Sequence, residues 1–498
     1  MFTLPPMLDQ LSAFAAVQGI QLWLVGGTVR DLLRGEAPVD IDLAVAGDGF
    51  ALARAYADAC GAAFVPLDAS RATGRIVTRD DPPLTLDLAG LRGPDIMADL
   101  RGRDFTINAL ALPLGAQAAP LLDPTGGQAD LAAGLLRPCS PTSLHDDPLR
   151  VLRAARFCAR LGLRPVAALD QMMRDAAPGL AKIAPERCRD ELLRLLDAPA
   201  AAPWLRYLDN CGALTTLLPE LEPARACSQP RVHFLPVLAH SLETVAALDW
   251  LIAQIRGEQI ALAAGGVETR PVAVQQHPAL QATIPYAPLF AKLLNEKRAG
   301  GQRRSALLKF TALLHDNAKP QTKVQHADGS VTFYGHQSMG AEVALQIGRR
   351  LRLSRLDCAY VALVVREHMR PGQLRAADVV TPRATVRFFR ELGDAAADVL
   401  LHELADHLAA RGPQIKPEAW AAHLAWVEHL ISAATSPPAE RRTPLVNGHD
   451  LMHTLNLAPG PQLGALLREL AEAQAAGEIT SRAEALALAR ERLKMQEA

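Results

Sequence analysis

Aromatic residues make up only 4% of this 498-residue sequence, and there is almost no net charge, with 52 Lys and Arg against 53 Asp and Glu. A formal charge of -1 excludes a protein held to nucleic acid by its overall field, so any RNA-binding surface has to be a local patch. The seven cysteines are scattered and form no Cys-x-x-Cys pair, which argues against a disulfide framework or a thiolate zinc site and points to a reducing, cytoplasmic setting. No basic residue precedes Arg30, and no uncharged apolar run approaches the ~18 residues of a membrane span, so neither a signal peptide nor a transmembrane segment is expected. What is plentiful is Ala, Leu and Arg. With 49% hydrophobic and 21% charged residues, that composition fits a soluble and mainly helical protein. The length exceeds what one core normally serves, so several domains are expected.

Strand-like apolar runs (LWLVGG, VDIDLAV, LTLDLAG, INALAL) mix with helical segments only up to about residue 135, the pattern of a small α/β unit, and the remainder reads as helix. The stretch from Gly257 to Arg304, with its Gly-Gly pairs and weak periodicity, reads as an insertion between helices. TSPPAERRTP, from Thr435 to Pro444, reads as a linker before a small helical element that runs to Ala498.

LWLVGGTVRDLLRG places a buried strand, then Gly26 and Gly27, then a helix stopping near Gly35. Glycines there let backbone N–H groups approach a phosphate, although a Gly-Gly turn between strand and helix is also an ordinary structural device. In VDIDLAV the alternation of a strand puts Asp40 and Asp42 on one side and Val39, Ile41 and Leu43 on the core side. Two carboxylates that close repel unless a divalent cation neutralises them, and magnesium is the natural occupant. Asp87 in LTLDLA can supply a third carboxylate to a site of the kind that clamps both oxygens in phosphoryl transfer.

GGTVRDLLRG followed by DID resembles the head of the class II tRNA nucleotidyltransferase and bacterial poly(A) polymerase family. Four later stretches agree in order: RDFTINALAL (Arg103, Asp104, Asn108), DPTGGQADL (Asp123, Gly127, Asp130), DDPLRVLRAARF, and PERCRDEL (Glu186, Arg187). The resemblance spans residues 22 to 196. It implies an α+β protein whose small polymerase β-like nucleotidyltransferase head, residues 1–138, is followed by mainly helical domains: a neck over 139–228, a metal-binding domain over 229–412 and a C-terminal element over 413–498. It implies Mg2+ on Asp40 and Asp42 with Asp87 beside them. It also implies a nucleotide site formed by Gly26, Gly27, Arg30, Arg103, Asp104, Asn108, Asp147, Arg150, Arg153 and Arg156. The partners implied are tRNA, CTP and ATP; no stable protein partner is inferable. Asp146 stands where the family usually has Glu.

Cytosine and adenine both present an amino donor beside a ring-nitrogen acceptor, the reverse of guanine and uracil. Asp147 and Arg150 are three apart; on a helix they share a face, the carboxylate placed to accept from the amino group and the guanidinium to donate to the ring nitrogen. From Arg150 to Arg194 there are ten basic residues against five acidic. Arg150, Arg153, Arg156, Arg160 and Arg164 fall on one side of a helix, suited to following an RNA backbone.

A second constellation follows in LLHDNAKP, where His315 and Asp316 are adjacent, with His240, His336, His368 and Asp406 spaced around them. This order resembles the HD phosphohydrolase superfamily, in which imidazole and carboxylate ligands hold a divalent metal that activates water for phosphoester hydrolysis. Asn317 replaces the usual aliphatic residue there. HELADH, from His402, has its second histidine five residues on and so does not make a metalloprotease pair on one helix face. In the tail, Gly448, Asp450, Pro459, Gly460 and Gly464 match the family's C-terminal element, with contact to the tRNA body as the implied role. The leading expectation is addition of CCA. Addition of CC only or of A only, poly(A) synthesis, and an HD phosphohydrolase with a non-catalytic RNA-binding head stand as alternatives. The stretch between Asp87 and Arg103 is short compared with the loop most complete CCA-adding relatives carry, which puts the A step in question.

Overall fold

A computed structural model describes residues 5–38, 40–68, 72–115, 120–230, 232–258, 268–280, 283–376, 380–435 and 444–497. Val39, part of the Gly257 to Arg304 stretch, most of the proposed linker and Ala498 lie outside them. The chain forms two units: residues 1–195 with 204–217, and a second built from 196–203, 218–261 and 268–498.

The first unit is organised by a six-stranded sheet in the order β3-β4-β5-β2-β1-β6. Its strands are β1 (Leu22–Val25), β2 (Asp40–Val45), β3 (Ala63–Asp68), β4 (Thr73–Val77), β5 (Thr85–Gly90) and β6 (Ala111–Pro113). β2 runs parallel to β5 and antiparallel to β1. Alternation along β2 and β5 sends Ile41, Leu43, Leu86 and Leu88 into one core with Leu24 and Ile76, closed by Leu8 and Leu11 of the helix Pro6–Val17 and Leu52 and Tyr56 of the helix Gly49–Cys60. The latter helix starts where Asp48 accepts a hydrogen bond from the Ala51 N–H and stops at Gly61 in the left-handed conformation, both ends satisfying groups the helix cannot pair internally.

Two of these strands, β3 and β4, are absent from the sequence reading, and of INALAL only the end is strand, Thr106–Asn108 being a 3-10 turn. β3 lies at the edge of the sheet, mostly exposed, with Pro66 and a register shift in its pairing to β4. Such an edge carries no clean apolar alternation to read.

In the second unit nearly everything is helix. The helix Val237–Arg256 is buried over most of its circumference and packs against Arg304–Leu314 and Ala396–Arg411. Buried charges there are paired: Lys309 with Asp249 at 2.7 Å and Arg304 with Asp398 at 2.7 Å. The stretch read as an insertion holds the short helices Val272–Gln276 and Ala287–Asn295. The C-terminal helices Gly448–Leu455, Pro461–Ala475 and Arg482–Glu497 share an apolar core of their own that includes Leu451, Leu466, Leu470 and Ala489. No helix among the described residues is long and apolar enough to cross a membrane.

Candidate active sites

In the first unit a cleft of about 470 Å³ opens at the ends of β1 and β2, and of the residues expected to bind metal or nucleotide all but Asp87 line it. Gly26, with φ +66°, begins the helix Gly27–Leu33; a Cβ there would meet the Arg103 guanidinium at 2.9 Å, and one on Gly27 would stand 3.4 Å from that of Arg30. The two glycines therefore let two cations close over the strand end. Thr28 ties helix to strand, its hydroxyl accepting from the Asp42 N–H at 2.7 Å and donating to the Asp40 carbonyl at 3.3 Å.

Asp40 and Asp42 point to one side, as alternation requires, and Asp42 stands in register with Asp87 on β5. Burial first, then the charges of Asp87 and Asp40, push the Asp42 carboxyl up to about 6 against the pull of Arg103 and Arg30. A carboxylate held at this cost, beside a second one, fits a divalent cation. Asp87 does not line the cleft: Arg75 on β4 grips both its oxygens, at 2.7 and 2.8 Å.

Asp104 and Asn108 line the cleft as buried supports. Asp104 accepts from Arg153 at 2.9 Å, from Asn108 at 3.1 Å and from the Phe105 N–H at 2.8 Å, while Asn108 accepts from Arg30 at 2.7 Å. Burial alone would raise the Asp104 carboxyl, but Arg153 and these hydrogen bonds hold it down to about 2. A lowered carboxyl stabilises the fold above its unfolded value near 4, and that contribution is lost as pH falls through about 2. Asp104→Asn is expected to flatten the acid limb of the stability curve between pH 4 and pH 2, by on the order of 2 kcal/mol, in denaturant melts. An unchanged limb would remove Asp104 from this role.

Two expectations need correction. Asp147 and Arg150 do not share a helix face, because the helix begins at Arg150 and Asp147 is extended, with φ -145° and ψ 98°. The cause is Pro148, which disfavours helical geometry in the residue before it. Both side chains still reach the same cleft. Asp147 accepts from Arg187 at 2.8 Å, and the Arg150 guanidinium donates to the carbonyls of Gly102, Arg103 and Ser143 and to the Ser143 hydroxyl. Nor do the five arginines make a free stripe. The helix Arg150–Leu161 ends at Gly162, so Arg164 falls on a two-residue strand, Arg164–Pro165. Arg153 and Arg156 are held by Glu191, itself only 3% exposed. With Arg30 their guanidiniums surround the Phe157 ring at 4.2 to 5.5 Å. Together they form a cleft wall of arginines packed on an aromatic ring, their charge offset by Asp31, Asp104 and Glu191.

In the second unit His240, His315, Asp316, His336, His368 and Asp406 converge. Asp316 lies 3.1 Å from His315, 3.4 Å from His336, 3.6 Å from His240 and 3.8 Å from His368, and Asp406 lies 2.9 Å from His240. The Nδ1 atoms of His315, His336 and His368 sit 2.7 to 2.8 Å from the carbonyls of Ala312, Phe333 and Val365. A carbonyl only accepts, so each Nδ1 carries the proton and each Nε2 offers a lone pair inward. Burial and the neighbouring His315 lower His368 to about 3, keeping it neutral, while Asp316 is held well below the usual carboxylate range, where His315 and Lys319 overcome the cost of burial. Nε2 of His240 and of His315 and Oδ1 of Asp406 are buried without an aligned hydrogen-bond partner. Orphaned donor atoms of these types, so arranged, fit a divalent metal.

Four family models match the chain: the poly A polymerase head domain over residues 22–137, the probable RNA- and SrmB-binding site of polymerase A over 168–225, the HD domain over 288–423, and the putative second domain of tRNA nucleotidyltransferases over 424–489. The A-adding tRNA nucleotidyltransferase of Deinococcus radiodurans is 36% identical, with 93% of this chain and 94% of that protein covered. The CC-adding tRNA nucleotidyltransferase of Geobacter sulfurreducens is 33% identical, with 97% and 95% covered. The chain belongs to the tRNA nucleotidyltransferase family. Among solved structures the Thermotoga maritima CCA-adding enzyme in complex with tRNA aligns over 98% of this chain and 95% of that one, with a TM-score of 0.61 at 19% identity, a likeness of fold.

Sequence reasoning about this nucleotidyltransferase missed Thr28, Arg92, Phe157 and Glu191 at the cleft. Thr28 adjoins the glycines and was within reach. Glu191 was counted only as a charge, and nothing local marks it as the buried partner of two arginines. Around the second cluster it missed Lys319, 2.6 Å from Asp316, and His402, whose ring packs 4.9 Å from that of His315.

Proposed function

We propose that this enzyme builds all or part of the CCA end of tRNA in the cytoplasm, taking C and A from CTP and ATP without a nucleic-acid template. The observation that carries the reading is the single cleft lined by Asp40 and Asp42, by Arg30 and Arg103, and by Asp147 and Arg150. In this reading Asp40 and Asp42 hold Mg2+, which would stabilise charge on the transferring phosphate. Arg30, Arg103 and the Gly26–Gly27 backbone bind the triphosphate. Asp147 accepts from the amino group shared by cytosine and adenine, and Arg150 keeps an unused Nε–H and Nη2–H for the ring nitrogen. In the second unit the His240, His315, Asp316, His336, His368 and Asp406 cluster holds a divalent metal for phosphoester hydrolysis. The domain boundaries at 138, 228 and 412 belong to the same proposal.

A second reading, a specialist for one nucleotide, is favoured by a particular feature. Between β5 and Arg103 the chain is short and pinned: the helix Ile96–Arg101 is capped by Asp95, and Asp99 accepts from the Arg92 N–H at 3.1 Å and from Arg103 at 2.8 Å. That leaves little reach for an element that shifts between C and A. Two near-full-length relatives are themselves an A-adding and a CC-adding enzyme. The test offers CTP and ATP separately to tRNAs ending at the discriminator base, at C and at CC. Stepwise addition of all three nucleotides supports the first reading; extension by A of the CC-ending tRNA alone, or arrest after two C, establishes a specialist. Long homopolymer tails would overturn both.

Asp147→Ala is expected to lower kcat/KM for the preferred nucleotide and to narrow its advantage over UTP and GTP by roughly 10- to 100-fold, the cost of about 1–3 kcal/mol for an unpaired buried polar group. An unaltered preference would take Asp147 out of base reading.

A further inference from the structure

Beside the histidine cluster lies a cleft of about 390 Å³ lined by Asp316, His336, His368 and Asp406 together with Glu403 and His407. Glu403 lies in the HELADH stretch, where sequence reasoning assigned it no role of its own, yet it is fixed from behind by a chain of donors. Arg375 contacts Nδ1 of His423. A guanidinium only donates, so that nitrogen accepts and the imidazole proton sits on Nε2. From there it donates to Oε1 of Glu403 at 2.7 Å. This leaves Oε2 as the oxygen available to a ligand. His407 is stacked on His423 with ring centres 3.7 Å apart and fixes that ring from its other side.

We propose that Glu403 is the proton donor to the leaving group in the hydrolytic reaction of this second site, oriented by His423 and Arg375. The inference rests on the phosphohydrolase reading above. In the step, a water oxygen bonds to phosphorus and the bond from phosphorus to the ester oxygen breaks. The departing oxygen takes the proton from Glu403 Oε2 and leaves as the alcohol, and the proton lost by the water returns the carboxylate to its acid form. The group can hold a proton at neutral pH because its burial, and then Asp406, raise it to about 8, against the opposing pull of Arg375. Apolar and aromatic side chains, Phe333 and Met369 among them, line the same cleft.

A proton donor matters in proportion to how poor the leaving group is. The full-length protein, loaded with Mn2+, is assayed on p-nitrophenyl phosphate, whose phenolate departs without a proton, and on a nucleoside monophosphate, whose alkoxide does not. Glu403→Gln is expected to slow hydrolysis of the alkyl ester by ~10² to 10⁴-fold while p-nitrophenyl phosphate falls less than about fivefold. Mn2+ affinity by calorimetry is expected to stay unchanged. His423→Ala, which leaves the carboxyl in place, gives the same dependence on leaving group at smaller size and serves if Glu403→Gln does not fold. Equal losses on both substrates, no loss on either, or weakened Mn2+ binding would each overturn the assignment. Wild-type protein that binds Mn2+ but hydrolyses neither substrate would instead refute the phosphohydrolase reading, and the role of Glu403 with it.

Discussion

Asp42→Asn is expected to abolish nucleotide addition and, in the same protein, to raise the melting temperature of the metal-free form at pH 7. Both effects come from one carboxylate. Burial, then Asp87 and Asp40, lift the Asp42 carboxyl to about 6. A group raised above its unfolded value favours the fold in acid, and that contribution is lost as pH rises through the folded value, here across a window from about 4 to about 6. Above it the ionised Asp42 is a liability on the order of 2–3 kcal/mol, which a neutral amide of the same shape does not carry. The gain in melting temperature should therefore be present at pH 7 and vanish near pH 4, where the wild-type carboxyl is protonated. Addition falls because a ligand to the ion that offsets transition-state charge is gone; several kcal/mol correspond to a loss of ~10³-fold or more. Primer extension on tRNA and calorimetry without metal read the two effects separately. A variant that adds nucleotides at near wild-type rate would sink the assignment of Asp42, and an unchanged melting temperature at pH 7 would show that the repulsion is relieved in some other way.

The cleft was legible because its determinants are local. Alternation in a six-residue strand is enough to place Asp40 and Asp42 together, and a Gly-Gly step before a helix is enough to place a backbone against them. The head's outer strands were not legible, because the edge strand β3 is mostly exposed and has no buried face to impose a pattern. Asp147 shows where periodicity misleads: the i,i+3 rule assumes a continuous helix, and Pro148 supplied the contrary signal in the sequence itself. The arginines from Arg150 onward show a different limit. Arg150, Arg153, Arg156 and Arg160 do share a helix, but Arg164 lies beyond its end, and whether such a face meets RNA or a buried carboxylate depends on Glu191, which comes from the separate helix Pro185–Leu196. In the second unit the six metal-binding candidates could be named from residue type and order alone, whereas Glu403 and His423 could not, since their pairing joins two different helices.

Asp316→Asn should have the largest effect in that unit. Among the described residues Asp316 is the one carboxylate within 4 Å of four imidazoles, those of His240, His315, His336 and His368, and it also holds Lys319 at 2.6 Å. Removing its charge takes an anionic ligand from the metal and leaves a buried ammonium without its partner, a type of change that costs about 3–5 kcal/mol. The variant is expected to purify without stoichiometric metal, to lose metal-stimulated hydrolysis of phosphoesters, and to melt at a lower temperature. Addition to tRNA is expected to persist at temperatures where the variant stays folded, since the carboxylates proposed to serve that reaction, Asp40 and Asp42, belong to the other unit. Elemental analysis for bound metal decides the matter. Full metal occupancy in Asp316→Asn would mean that the histidines and Asp406 suffice to hold the ion, and Asp316 would then be left as the counter-charge of Lys319 alone.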